Sequence, residues 1–154
     1  MKRTRPGRGR WTLALCLSLC ACASSGQAIR PFSSDGCSLF PDGAGKQPEL
    51  WQACCVRHDL AYWRGGSAAE RQQADAALRD CVFEQSGDRL LAGQMYRGVR
   101  LGGTPALPTG FRWAYGWPYG RGYQALSEAE RAAAAADPLA SACARQVTGA
   151  CVKD

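Results

Sequence analysis

The sequence predicts a mainly α-helical fold with one modest core. Apolar residues recur at helical spacing from Glu49 to Tyr62, and serine-led capping boxes begin at Ser67 and Ser127. Six cysteines after residue 28 indicate the disulfide bonds with which small exported domains support a limited core. A chain of 154 residues has about the length of one domain.

The N-terminal segment has the pattern of an export signal. Five basic residues precede Trp11 without an acid, and an apolar run from Trp11 to Cys22 follows. This run is shorter than the ~20 residues of a membrane-spanning helix. We predict that residues 1–28 are a signal peptide, or residues 1–21 if Cys22 is lipidated, because Leu19–Cys22 resembles a lipobox. The protein would then be secreted, periplasmic or an outer-membrane lipoprotein.

Loss of this segment removes most of the net positive charge. The whole sequence has a net charge of +6, whereas 14 Lys and Arg against 13 Asp and Glu follow the segment, a net charge of +1. This later part has no cluster of Lys and Arg with interleaved aromatic residues. We therefore do not expect nucleic-acid binding.

The folded domain is predicted to span residues 29–154, with its core in residues 34–85. It begins with the loop Asp35–Gly45, whose Gly, Pro, Asp and Ser residues let carboxylates and carbonyls point at one place. A helix from Glu49 to Tyr62 follows, with apolar residues four apart along one face, and Gly65–Gly66 ends it.

A second helix is predicted to begin at the capping box of Ser67 and Glu70 and to run to about Gln85. Because only a short glycine link separates the two helices, we expect them to be antiparallel neighbours. His58 on the first helix would then face Asp75 on the second.

Further helices and an aromatic segment are predicted beyond this pair. Asp88 can cap a third helix, which ends before residue 104. A C-terminal extension is predicted over residues 104–154. Within it, the Ser127 capping box opens a helix that Pro138 interrupts. We interpret Phe111–Tyr123, which is rich in aromatic residues and glycines, as an ordered loop or a short hairpin. Its rings either pack over the helices, the interpretation that we favour, or contact a membrane interface.

His58 is the only histidine of the chain and the centre of the predicted site. Asp75 can hold one ring nitrogen, which leaves the other to take a proton as a general base. A less specific interpretation is a core histidine that is hydrogen-bonded to a neighbour. Asp59 cannot orient His58, because consecutive side chains on a helix diverge by about 100°. It would face a cation instead, and the loop with Asp35 and Gly36 offers the oxygen ligands that calcium prefers.

The cysteines allow two interpretations. Cys54, Cys55 and His58 would suit zinc, but adjacent cysteines point apart and no fourth ligand is evident in the sequence. We therefore expect three disulfide bonds among the six cysteines, and the residues alone leave the pairing open.

These motifs together resemble the secreted phospholipases A2, especially their small bacterial and fungal branch. The resemblance is carried by the loop Asp35–Ser38 with Pro41–Asp42 beyond it, and by Cys54–Tyr62, which contains Cys-x-x-His-Asp-x-x-Tyr. Asp75 with Cys81 six residues later is similar to the second helix of the family. The similarity extends from the loop to this cysteine and not into the rest of the chain.

The resemblance implies a calcium-dependent hydrolase that acts on the sn-2 ester of glycerophospholipids at a membrane surface. His58 would remove a proton from the attacking water, Asp75 would orient His58, and Tyr62 would support Asp75. Calcium would be bound by oxygen atoms of the loop and the first helix: the carboxylates of Asp35 and Asp59 and the carbonyl of Gly36.

The resemblance also implies the disulfide pairs, which are Cys37–Cys55, Cys54–Cys81 and Cys143–Cys151. Two alternatives to an active enzyme stay open. One is a catalytically inactive phospholipase A2-like envelope protein that binds lipid or a protein partner. The other is a structural lipoprotein in which His58 and Asp75 form only a buried hydrogen-bonded pair.

Overall fold

A computed structural model describes residues 28–145 and residue 151 of the chain. Within these residues it contains five α-helices and, apart from one isolated bridge, no β-structure, which confirms the mainly α-helical fold. The helices are α1 (Gln52–Arg64), α2 (Ala68–Ser86), α3 (Arg89–Gly102), α4 (Glu128–Ala135) and α5 (Pro138–Arg145). No described helix is long and apolar enough to cross a membrane. The predicted signal segment up to residue 27, including Cys22, lies outside the described residues.

The first helix begins at Gln52 and not at Glu49, where the apolar spacing starts. The amide of Trp51 donates to the carbonyl of Asp42 at 2.9 Å, so the segment before α1 belongs to the loop. A contact between residues nine apart in sequence is not visible in helical periodicity. Gly65 ends α1 with a φ of 70°, a conformation that glycine adopts without strain.

Local capping determines where α2 and α3 begin. Ser67 Oγ accepts from the amide of Glu70 at 3.2 Å, and the Glu70 carboxylate accepts from the amide of Ser67 at 2.7 Å. Both halves of the predicted capping box are therefore present. The Asp88 carboxylate accepts from the amides of Leu90 and Leu91 in the first turn of α3. The second helix packs against both α1 and α3, so the three helices form one packed unit.

Three disulfide bonds connect the described parts of the chain. Cys37–Cys55 joins the loop to α1, and Cys54–Cys81 joins α1 to α2. Cys143–Cys151 joins α5 to a residue that lies beyond the end of this helix. These are the three pairs that the resemblance implies, and each can stabilise a small domain by about 2–4 kcal/mol. Because Cys54 and Cys55 are both in disulfide bonds, neither has the free thiolate that a zinc site would need.

The aromatic segment 111–123 is an ordered loop without strands, so the hairpin interpretation is wrong. Trp113 and Trp117 are each 1% exposed, and their indole N–H groups donate to the carbonyls of Gly66 and Arg64. The rings therefore cover the end of α1 and satisfy the carbonyl of its last residue and one carbonyl of the glycine link that follows, which supports the packing interpretation.

Pro138 begins a new helix instead of interrupting one. α4 ends at Ala135, and proline is the first residue of α5, where its missing N–H costs no helical hydrogen bond. The Asp137 carboxylate accepts from the amide of Ala140 at 2.7 Å and from the amide of Phe32 at 3.1 Å. α5 packs against α1, so the C-terminal extension joins the domain and does not stand apart.

Candidate active site

The predicted His–Asp pair is formed between α1 and α2. Nε2 of His58 lies 2.8 Å from Oδ1 of Asp75, whose side chain is completely buried. Helical periodicity turns both side chains toward the interface of the two helices, and the short link between them sets their pairing. The bond uses Nε2 and leaves Nδ1 without a hydrogen bond to any described residue. His58 can therefore accept a proton at Nδ1 while Asp75 holds the opposite side of the ring.

Asp75 receives more support than the sequence predicts. Tyr62 Oη donates to Oδ1 at 2.7 Å, as expected, and Arg100 Nη1 donates to Oδ2 at 2.7 Å. Burial by itself would raise the pKa of Asp75, but the hydrogen bonds from His58, Arg100 and Tyr62 outweigh burial and lower the pKa below its ordinary value. Asp75 is therefore a carboxylate at neutral pH.

Arg71 connects this pair to α3. Its Nε donates to Tyr62 Oη at 2.9 Å and lies 3.7 Å from Oδ2 of Asp75. Its Nη2 donates to the carbonyls of Val99 and Arg100, which fixes the last turn of α3 beside the site. Burial, together with the charge of Asp75, raises the pKa of Tyr62, so its hydroxyl stays a donor.

The two arginines are the residues that sequence reasoning missed. Arg71 stands four residues before Asp75 on one helix, and this i, i+4 spacing is a signal that could have identified it. Arg100 lies 25 residues away on α3, and no local pattern in the sequence connects it to Asp75.

Asp59 points away from the His–Asp pair, toward the loop, as expected. Its Oδ2 accepts from Ser34 Oγ at 2.6 Å, and Ser34 Oγ in turn accepts from the amide of Gly36 at 3.2 Å. Burial raises the pKa of Asp59 to about 8, which the Ser34 hydrogen bond opposes and the charges of Asp35 and Asp42 reinforce. The structure thus brings Asp35 within electrostatic range of Asp59 and connects Gly36 to it through Ser34.

The oxygen atoms around Asp59 are of the chemical type that a hard cation takes. No group of three or more His, Cys, Asp or Glu suited to a metal occurs among the described residues. Calcium is also bound by backbone carbonyl oxygens, which such groups do not include. Asp59 is 91% buried, and Ser34 is its one hydrogen-bond partner among the described residues, so its ionised form lacks a countercharge. A divalent cation bound by the Asp59 and Asp35 carboxylates and the Gly36 carbonyl would supply that charge.

Two cavities meet at Asp59. The first has a volume of about 340 Å³ and contains His58 at its wall. Its other side chains are mostly apolar and include Leu39, Phe40, Leu78, Met95, Val99 and Phe111. The second cavity, of about 530 Å³, is more polar and contains Ser34, Asp35 and Arg30. The first cavity thus combines a mostly apolar wall with the polar side chains of His58 and Asp59.

Comparisons with known proteins give no family for this chain. None of the protein-family models, curated proteins or solved structures with which it was compared matches significantly. Statements about function therefore depend on the chemistry of the residues described above.

Proposed function

We propose that this protein is a calcium-dependent, phospholipase A2-like hydrolase of the sn-2 ester of glycerophospholipids. The observation that carries the proposal is the bond between His58 Nε2 and Asp75 Oδ1 at the wall of an apolar cavity. A buried His–Asp pair supplies a general base, and the cavity supplies room for an acyl chain.

The nucleophile in this proposal is water. Asp75 is the one hydrogen-bond partner of His58 among the described residues, so no described hydroxyl or thiol is positioned for activation. His58 Nδ1 takes a proton from the water as its oxygen attacks the ester carbonyl. The carboxylate of Asp75 stabilises the imidazolium that forms. His58 then returns the proton to the glycerol oxygen as the acyl–oxygen bond breaks, giving a fatty acid and a lysophospholipid.

Asp35, Gly36 and Asp59 would hold the calcium ion. Bound there, calcium would polarise the ester carbonyl and stabilise negative charge on its oxygen. Asp59 keeps its proton near neutral pH in the absence of a cation, because burial raises its pKa to about 8. Calcium binding would therefore release that proton, and binding would strengthen as pH rises toward 8.

Exposed leucines around the apolar cavity support a lipid surface as the partner. Leu39, at the cavity wall, is 91% exposed, and Leu90 and Leu101 on α3 are 80% and 76% exposed. Leu90, Gln94, Gly98 and Leu101 follow one another at helical spacing, and the two middle residues line the cavity. Large apolar side chains in water favour contact with lipid.

We also propose that the protein functions outside the cytoplasm. Three disulfide bonds in one small domain require an oxidising compartment in most organisms. Secretion, the periplasm and anchoring through Cys22 all satisfy this requirement. A protein that binds lipid without hydrolysing it would share the fold and location, and activity separates the two functions.

The test is fatty-acid release from phosphatidylcholine and phosphatidylglycerol vesicles by the purified protein. We expect release in calcium, and we expect it to stop in a chelator and in His58→Gln. Arg79→Gln, an exposed change on α2, is the matched control and should retain full release. Release that continues in both the chelator and His58→Gln would exclude the mechanism.

A further inference from the structure

A third cavity, separate from the apolar one, contains two arginines. Its volume is about 450 Å³, and its wall includes Arg30, Thr109, Arg112 and Tyr119. No acidic residue is present among the described residues that line it. Arg30 and Gly110 also line the polar cavity beside the loop, so the two cavities adjoin.

Arg112 has donors that no described residue uses. It is 95% buried, and its hydrogen bonds go to the carbonyls of Trp113, Ala114 and Trp117. These three bonds use three of the five N–H groups that a guanidinium carries. The carbonyls hold the arginine in position, and the ring of Tyr119 lies 5.6 Å from its central carbon. Two N–H groups remain for a ligand.

The two arginines also lack a countercharge. Burial lowers the pKa of Arg112, and the nearby charge of Arg30 lowers it further. Neither arginine forms an ion pair with an acid among the described residues; Arg30 donates to the carbonyl of Tyr115. Two cations side by side in a partly closed space repel each other, and a bound anion removes that cost.

Thr109 provides an independent observation. Its hydroxyl oxygen is buried and has no hydrogen-bond partner among the described residues. Buried hydroxyls in folded proteins are nearly always hydrogen-bonded, so the Thr109 hydroxyl, in a residue that lines this cavity, still requires a partner. It lies three residues before Arg112 on the same loop.

We propose that Arg30, Thr109 and Arg112 form a binding site for a phosphate group. A tetrahedral oxyanion carries several acceptor oxygens, which suits two guanidinium groups and a hydroxyl approaching from different residues. The ligand is either inorganic phosphate or the phosphodiester of a lipid head group. The site does not depend on hydrolysis at His58, and its cavity is not lined by Asp35, Gly36 or Asp59.

Calorimetric titration of the calcium-free protein with inorganic phosphate, in chloride buffer of constant ionic strength, tests this site. We expect Arg30→Gln to weaken phosphate binding about tenfold and Thr109→Val to weaken it about fivefold. Arg79→Gln removes the same charge from α2 and should leave binding unchanged. Arg30 is exposed, so its replacement preserves the fold even if replacement of Arg112 does not.

A second titration with glycerophosphocholine, a soluble phosphodiester, separates the two sources. Tighter binding of the phosphodiester assigns the site to head groups, and tighter binding of inorganic phosphate assigns it to the free ion. Absence of binding at millimolar concentrations of both probes would overturn the proposal. Equal weakening by Arg30→Gln and Arg79→Gln would also overturn it, because a nonspecific charge effect would then account for the binding.

Discussion

Asp75 and Asp59 are both buried carboxylates of the candidate site, yet their surroundings have opposite effects on them. Asp75 accepts hydrogen bonds from a histidine, a tyrosine and Arg100, and its pKa is lowered. Asp59 accepts from Ser34 alone among the described residues, and burial raises its pKa to about 8. Burial is common to both, so the number and charge of the donors decide which carboxylate is ionised.

In the proposed mechanism, this difference would separate two functions. The charge of Asp75 is set by the surrounding protein groups, so it could orient His58 throughout the reaction. The charge of Asp59 would depend on the proposed cation, so the calcium side of the site would be complete only with the ion bound. Three measurements test this contrast, and a fourth tests the proposed lipid contact.

Removing the fixed charge should have the largest effect. Asp75→Asn keeps the shape of the side chain but cannot stabilise an imidazolium or select the same histidine tautomer. We expect hydrolysis of phospholipid vesicles to fall by about 10³–10⁴-fold. Calcium binding, measured by calorimetry, should be unchanged, because Asp59 and the loop are intact. A variant with near-normal hydrolysis would show that the pair is only structural.

The calcium-dependent charge predicts a specific pH dependence of stability. The pKa of Asp59 rises from 3.8 to about 8 on folding, so without calcium its contribution to stability is complete below about pH 4 and is lost as pH rises to about 8. The melting temperature in chelator should therefore decline over this range more steeply for the wild type than for Asp59→Asn. Added calcium should raise the melting temperature of the wild type most near pH 8. Parallel curves for the two proteins would contradict the raised pKa.

Arg100 tests how the fixed charge is maintained. Arg100→Gln removes the shorter of two ion pairs at Oδ2 of Asp75 and leaves the Arg71 ion pair and the bonds from Tyr62 and His58 in place. We expect kcat for vesicle hydrolysis to fall about tenfold with little change in the apparent calcium affinity. Arg100→Lys, which keeps the charge, should restore part of the loss. Equal kcat in the Gln and Lys variants would indicate that the charge of Arg100 has no role.

The smallest effect is expected at the rim of the apolar cavity. Leu90→Ser should lower activity on vesicles about fivefold, because one exposed leucine no longer enters the lipid. Activity on a monomeric short-chain phospholipid should stay the same. Leu139→Ser is the control, because Leu139 is an exposed leucine on α5, and no residue of α5 lines the apolar cavity. Equal losses on both substrates would argue against lipid contact at Leu90.

The features that the sequence predicts well depend on neighbours in sequence. Ser67 and Asp88 cap their helices through residues within one turn, and Gly65 ends α1 through its own conformation. His58 and Asp75 could be paired in advance because helical period and a short link determine which faces meet. Each of these features is a consequence of local geometry.

The features that the sequence misses depend on contacts between distant segments. Arg100 reaches Asp75 from the next helix, and Trp51 bonds to the loop and delays the start of α1. The packing of the aromatic rings over the helices is predicted, but the carbonyls of Gly66 and Arg64 that the indoles of Trp113 and Trp117 contact are not. A residue pattern contains no information about which carbonyl a distant indole will find, so these contacts could not be read from it.

The central claim is that His58 with Asp75 and Asp59 with the loop form one calcium-dependent hydrolytic site. The most direct test measures calcium binding and sn-2 fatty-acid release on the same samples of wild type, His58→Gln and Asp59→Asn. We predict that release by the wild type follows calcium occupancy, that His58→Gln binds calcium without release, and that Asp59→Asn loses both. Calcium-independent release by the wild type, or unchanged release by Asp59→Asn, would contradict the claim.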